Sequence, residues 1–163
     1  MHLSPADSLP PLQSVILAIL TIDFLRYFLA AGLIWLIVTV FRRTLAARRI
    51  LGGTPRAGQM RREFIYSLST VTIFAATGTL VFLGSMVGWF KTYDDVALYG
   101  WGWWWASVAL VIVAHDAYFY WTHRWLHHPR WFASVHGRHH HSLHPTPWAA
   151  YAFHPLEAVV QFK

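Results

Sequence analysis

Apolar residues in this chain are gathered into three long blocks rather than spread at the period of a half-buried helix or strand. The first block runs from about Leu12 to Phe41, the second from about Phe64 to Phe90 and the third from about Trp101 to Trp121. A helix needs roughly 20 apolar residues to cross a hydrocarbon core of about 30 Å, so the blocks predict about three transmembrane helices. The expected fold class is therefore all-α: a polytopic membrane helical bundle with a cytoplasmic, histidine-rich helical cap. The leading stretch MHLSPADSLPPLQ lacks the positive region of a cleavable signal, so the first block is expected to stay in place.

Polar interruptions refine this reading. Asp23 and Arg26 stand three apart in the first block and are expected to pair within the helix; a functional role is the alternative, because ionisable groups inside a membrane are costly. Gly84 and Gly88 form a GxxxG pattern that could seat another helix, read here as simple close packing. Trp101, Trp103, Trp104 and Trp105 resemble an interfacial aromatic belt opening the third block. Gly52, Gly53, Pro55 and Gly58 mark an irregular loop, although its arginine-rich first half could prolong the first helix.

Composition agrees with a membrane protein, at 56% apolar and 12% charged residues, against roughly 25% charged in a soluble globular domain. The formal charge is +6, and seven basic residues fall between Arg42 and Arg62. Such a cluster between two spans is expected to lie in the cytoplasm and requires no nucleic acid. The segment 91–100 carries Lys91 against Asp94 and Asp95 and should face the other way, so the third span returns the histidine-rich part to the cytoplasm. The 163 residues divide into an N-terminal membrane region, 1–109, with two spans and the basic loop, and a C-terminal region, 110–163. With no cysteine there is no thiolate ligand, thiol nucleophile or disulfide framework.

Ten of the eleven histidines lie between Ala114 and Pro155. The third helix is expected to continue past Trp121, carrying His123 and His127 on one face until Pro129 stops it. A short second helix would carry His136, His139 and His140 at i, i+3 and i+4. Two facing helices with such side chains would form a pocket of imidazoles, a donor set suited to iron, zinc, copper or nickel. Five imidazoles exceed what one ion with an open position needs, so two metals are plausible. His115 is either a ligand or substrate-side group or a structural histidine; His128 and His141 should point elsewhere, His144 reads mostly as a turn residue, and His154 is structural or supports a ligand, with ligation the alternative. Asp116 or Glu157 could accept the second ring N–H of a ligand.

The strings HDAYFYWTHRWLHHP, HGRHHHS and PTPWAAYAFHPLE resemble the fatty acid hydroxylase superfamily, the last most closely its sterol desaturase-like branch. Its first histidine box, HX3H or HX4H, falls on His123 and His127, and its second, HX2HH, on His136, His139 and His140. The resemblance implies a membrane-bound non-haem di-iron oxidoreductase, a hydroxylase or desaturase, that uses dioxygen and an external electron donor on C–H bonds of a lipid or sterol. Residues 110–163 would be the N-terminal part of such a domain, because the family carries a third HX2HH box further along and this sequence ends at Lys163. A truncated product is the leading explanation; a short member completed by another chain, or an inactive remnant, are the others. A metal-binding or transporting membrane protein is the alternative function. No GxGxxG follows a strand, so nothing binds a flavin or nicotinamide.

Overall fold

The protein is described from a computed structural model, which covers residues 11–48, 53–89 and 95–162. Gly52 of the irregular loop, Arg49 of the basic cluster, and Lys91 and Asp94 of the segment 91–100 lie outside those residues. Helix α1 spans Leu12–Val40, a short α2 spans Arg42–Ala46 and α3 spans Gln59–Met86. A 3₁₀ turn at Val96–Leu98 leads into α4, Gly100–Leu126. The polar end then folds as α5 (Pro129–Trp131), a π-helical turn (Phe132–His136), α6 (Gly137–His140), a 3₁₀ turn (Pro147–Ala149) and α7 (Pro155–Val160). Every described element is helical, as expected for the fold class.

Helix α1 is apolar on all sides and buries only Val15, Tyr27 and Ala31, while Leu17 and Leu29 are 64% and 68% exposed. A helix hydrophobic all round belongs in the interior of a large protein or in lipid. Among the described residues, α1 and α3 are the two helices long and apolar enough to cross a membrane. Helix α4 is nearly as long at 27 residues and is interrupted by the His115–Asp116 pair; it is not among those two helices. Of its residues only Leu126 is buried.

The Asp23–Arg26 expectation is met by an intrahelical pair at 2.7 Å. The GxxxG reading is not. Gly88 lies beyond the end of α3 with φ +80°, and its N–H reaches the Ser85 carbonyl while that of Trp89 reaches Gly84. That is a Schellman cap, which terminates a helix at a glycine tolerant of left-handed backbone. The arginine-rich stretch after α1 is a separate short helix, α2, because the ladder breaks at Phe41.

Helices α1 and α3 pack on each other around Tyr27, Ala31 and Val71. Trp148, from the 3₁₀ turn far along the chain, inserts into this contact. Its indole meets Tyr27, Phe28 and Phe64 edge-on at ring-centre separations of 6.1, 6.0 and 5.7 Å. Its carbonyl accepts the Tyr27 hydroxyl at 2.9 Å and the Ser67 hydroxyl at 2.7 Å. One turn nearer the start of α3, fully buried Glu63 accepts from Gln59 Nε2 at 2.7 Å and from the Thr146 hydroxyl and amide. Gln59 Nε2 also donates to the His144 carbonyl at 2.8 Å. The loop 144–148 is thus bolted to both apolar helices, with its polar backbone satisfied by their side chains, as a low-dielectric setting demands.

Replacing Trp148 with alanine is expected to destabilise the protein by about 3 kcal/mol, the scale for truncating a packed indole. Thermal unfolding followed by circular dichroism in detergent should show that loss, while the exposed Trp103→Ala leaves the transition in place.

Candidate metal centre

Leu126 is the last residue of α4, and the helix places His123 and His127 one turn apart at its polar end. Pro129 does not merely stop α4: after His128 in extended backbone it opens α5 from the first helical position, where its missing N–H costs nothing. The chain reverses here, and the π turn follows. Its bond from Gly137 N–H to the Phe132 carbonyl takes up one extra residue, and a Cβ on Gly137 would lie 2.7 Å from that carbonyl oxygen. Only glycine fits there. π turns occur mostly as single turns at functional sites, and this one aims His136 back at α4.

Four imidazoles converge as a result. One ring nitrogen from each of His123, His127, His136 and His140 lies within 4.8 Å of the other three. The Nε2 atoms of His123 and His127 are 3.2 Å apart, and those of His136 and His140 3.0 Å. Metal–imidazole bonds of about 2.1 Å place neighbouring nitrogens roughly 3.0–3.4 Å apart in octahedral or tetrahedral geometry. The two close pairs therefore have the spacing of coordination edges, and the donor set fits a borderline transition-metal ion. Phe132 lines the group, with its ring centre 5.6 Å from that of His127 and 5.4 Å from that of His140.

His139, expected with the other four, lies outside this group. From His136, a residue three positions on is rotated about 60° one way and a residue four on about 40° the other, so His140 gains the closer position. The His139 ring rests instead on Phe153 at 5.2 Å, flanking His140 at 5.5 Å.

Behind the cluster, His136 is fully buried and its Nδ1 is 2.7 Å from Glu157 Oε1, on α7. Of the two carboxylates considered, Glu157 is the one that holds a cluster histidine; Asp116 is 80% exposed and 3.5 Å from His115. With Nδ1 donating its proton to Glu157, Nε2 of His136 keeps its lone pair for the centre of the group. Burial, then repulsion by His123, His140, His127 and His139, depresses the His136 pKa to about 3. Burial lowers His139 and His140 as well. Burial raises Glu157 to about 7, against a smaller opposing effect of the His154 backbone. His123, His136 and His140 are thus biased toward the neutral form, the protonation state in which imidazole binds metal.

The remaining histidines take other places. His154 caps α7, its Nδ1 accepting the Leu156 amide at 3.2 Å. The carbonyl of His141 accepts from Arg62, and the His144 ring packs against Gly53. His115 and His128 lie outside the four-nitrogen group. Two hollows border the cluster: one of about 540 Å³ reaching His139 and His140 beneath Pro145 and Pro147, the other of about 380 Å³ walled by Phe119, Tyr120, His123 and His127. Gly137, Phe132 and the Glu63–Thr146 brace were not singled out from sequence; a glycine set inside HGRHH was the one available signal.

Comparison with known proteins agrees with this geometry. Residues 108–162 match the fatty acid hydroxylase family model, a range that contains all four converging histidines and Glu157. A Delta(7)-sterol 5(6)-desaturase, ERG3B, of Gibberella zeae is 39% identical over 63% of this chain and 32% of its own length. A second from the same organism, ERG3A, is 32% identical over 98% of this chain and 45% of its own, and the lathosterol oxidase of Mus musculus is 32% identical over 63% and 35%. The chain thus spans less than half the length of these relatives. No solved structure matches. The histidine-bearing segment, 108–162, is thus similar to the fatty acid hydroxylase family, and the relatives that resemble the chain are named as sterol desaturases and a lathosterol oxidase.

Proposed function

We propose that the chain belongs to a membrane-bound non-haem di-iron oxidoreductase, a hydroxylase or desaturase that acts on C–H bonds of a lipid or sterol. The observation that carries this reading is the convergence of four imidazole nitrogens at the polar end of apolar helices, oriented by a buried carboxylate. The relatives are named as sterol desaturases and lathosterol oxidases, which favours a sterol-like substrate. Iron bound by such a ligand set supplies dioxygen activation strong enough to attack an unactivated C–H bond. Electrons would come from an external donor.

In this reading α4 is a third span across about Trp101–Trp121, and the basic stretch Arg42–Arg62 holds the histidine-rich end on the cytoplasmic side. His123, His127, His136 and His140 would hold one ion, and His139 beside them would serve the second. Glu157 fixes the tautomer and direction of His136. The hollow walled by Phe119, Tyr120 and Arg124 opens directly on His123 and His127, and its two aromatic rings offer apolar contact to a hydrocarbon while Arg124 donates to the Tyr120 hydroxyl. Substrate drawn from the bilayer would meet the ligand cluster there without crossing bulk water.

Metal analysis of the purified chain should find bound iron that is lost in His136→Ala and His127→Ala. His128→Ala should retain it, and His139→Ala should lower the iron content without abolishing it. Full iron retention in His136→Ala overturns the ligand assignment. Glu157→Gln is expected to weaken iron binding by roughly 10–100-fold, the usual effect of removing an outer-shell carboxylate, measured by competition with a chelator.

Acid should act on the metal-free chain in a defined direction. For His136 the unfolded chain takes up a proton near pH 6.5 and the folded chain only near 3, so the unfolded state binds more protons between these values and stability falls as pH falls. Glu157 opposes this between 4.5 and 7, since there the folded chain holds a proton that the unfolded chain has released. Five depressed histidines, 123, 136, 139, 140 and 154, outweigh one raised carboxyl. Thermal unfolding should therefore occur at lower temperature at pH 5 than at pH 7.

A further inference from the structure

The start of α3 carries a second site, separate from the histidine cluster. A hollow of about 260 Å³ is lined by Gly58, Arg61, Arg62, Ile65 and Tyr66. The guanidinium of Arg138, from α6, lies 5.9 Å from the centre of the Tyr66 ring and adds a third positive group at its edge. No carboxylate lines the hollow. The one acidic residue in this part of α3, Glu63, is fully buried on another face of the helix and engaged by Gln59 and Thr146. Residues 42–62 contain no acidic residue at all. The first turn of α3 has no side-chain cap, so its N–H groups and helix dipole add to the positive potential.

Charge in a cytoplasmic loop is explained by membrane topology, but that rule asks only for number and not for a pocket. Here the residues are layered. Arg61 and Arg62 form the polar tier, and one turn further on Ile65 and Tyr66 form an apolar tier, with Ile65 49% exposed. From there α3 continues as an apolar helix long enough to cross a membrane. The order runs from cations to a tier of exposed aliphatic and aromatic side chains one turn further along the helix. A phospholipid arranges its parts in the same order, phosphate first and acyl chain below. A free phosphate would use only the first tier. Guanidinium groups match phosphate oxygens in planar, two-point contacts, which favours arginine over lysine in such a place.

We propose that this hollow binds the headgroup phosphate of an anionic phospholipid, with its acyl chain lying along Ile65. The site also touches the histidine-bearing loop. Arg62 donates to the His141 carbonyl at 3.3 Å, and Arg138 lies between His136 and His139 in sequence. A bound headgroup would gather Arg61, Arg62 and Arg138 around one anion and so tie α3 to α6. The proposal rests on the membrane-spanning reading of α3 and not on the metal assignment.

Native mass spectrometry of the full chain in detergent, titrated with phosphatidylglycerol or phosphatidylcholine, tests it. The wild type should retain phosphatidylglycerol in preference, and R61Q/R62Q should lose that preference by roughly tenfold or more, given the pull of each arginine on anionic lipid. R42Q/R43Q, on α2 and away from the hollow, removes equal charge and should keep the preference. An equal loss in both double variants would show diffuse surface attraction and overturn the site, as would no preference in the wild type. Displacement of the lipid by inorganic phosphate at comparable concentration would overturn the lipid assignment in favour of a free-anion site. If circular dichroism shows R61Q/R62Q to be misfolded, the charge-preserving R61K/R62K is read in its place and should show a smaller loss in the same direction. Iron content, measured on the same samples, reports on the metal centre independently.

Discussion

The carbonyl oxygen of Trp148 accepts two hydroxyls from two different apolar helices, Tyr27 of α1 and Ser67 of α3. Much of the remaining architecture depends on that contact. A loop of histidine, proline and threonine cannot enter an apolar helix pair unless its backbone polar groups find partners, since an unpaired buried carbonyl costs on the order of 1–3 kcal/mol. Here the helices supply them. Glu63 and Gln59 extend the arrangement to Thr146 and His144, and the Trp148 indole fills the space that the polar atoms frame. Because 3₁₀ turn and α7 are joined by only five residues, fixing Trp148 also fixes the entry to α7 and with it Glu157.

Glu157 then sets the chemistry. It is buried beside His136, with Oε1 taken by the imidazole and Oε2 lacking a protein partner. A carboxyl so placed resists ionisation unless positive charge is close, and a cation held on the far side of the His136 ring would provide it. The pair therefore links the packing of α7 on α3 to the readiness of the imidazole cluster for metal. α4 enters from another direction. It touches the cap mainly at its end and through Tyr118, whose hydroxyl donates to the Val160 carbonyl. The two halves of the cluster thus come from different parts of the fold, one on α4 and one braced through α7 to the helix pair.

Much of this was legible before any coordinates. Long apolar blocks predicted the helices, and His123 and His127 were correctly paired by a spacing of four. Pro129 was expected to end α4, which does stop just before it at Leu126, and it also opens α5, because proline at a first helical position loses no bond. Gly84 and Gly88 matched a packing motif, but the second of them lies in a left-handed cap, a conformation that no spacing rule reports. His139 was grouped with His136 and His140 by helical periodicity and by the resemblance to an HX2HH box. The actual path passes through a π turn, and Phe153 takes the His139 ring.

By itself, then, the order of residues determined what local forces govern: helix content, the apolar character of α1 and α3, the charge of the connecting loop and the donor type of the cluster. These follow from side-chain transfer energies and short-range periodicity, which act within a few residues. Tertiary structure decided which nitrogens share a centre, that Glu157 and not Asp116 stands behind a cluster histidine, and that Trp148 joins the cap to the helices. Those outcomes depend on contacts between residues as far apart as Tyr27 and Trp148, separated by 121 positions. Long-range partners of that kind are chosen by packing and by the need to satisfy buried polar groups, and neither leaves a periodic trace along the chain.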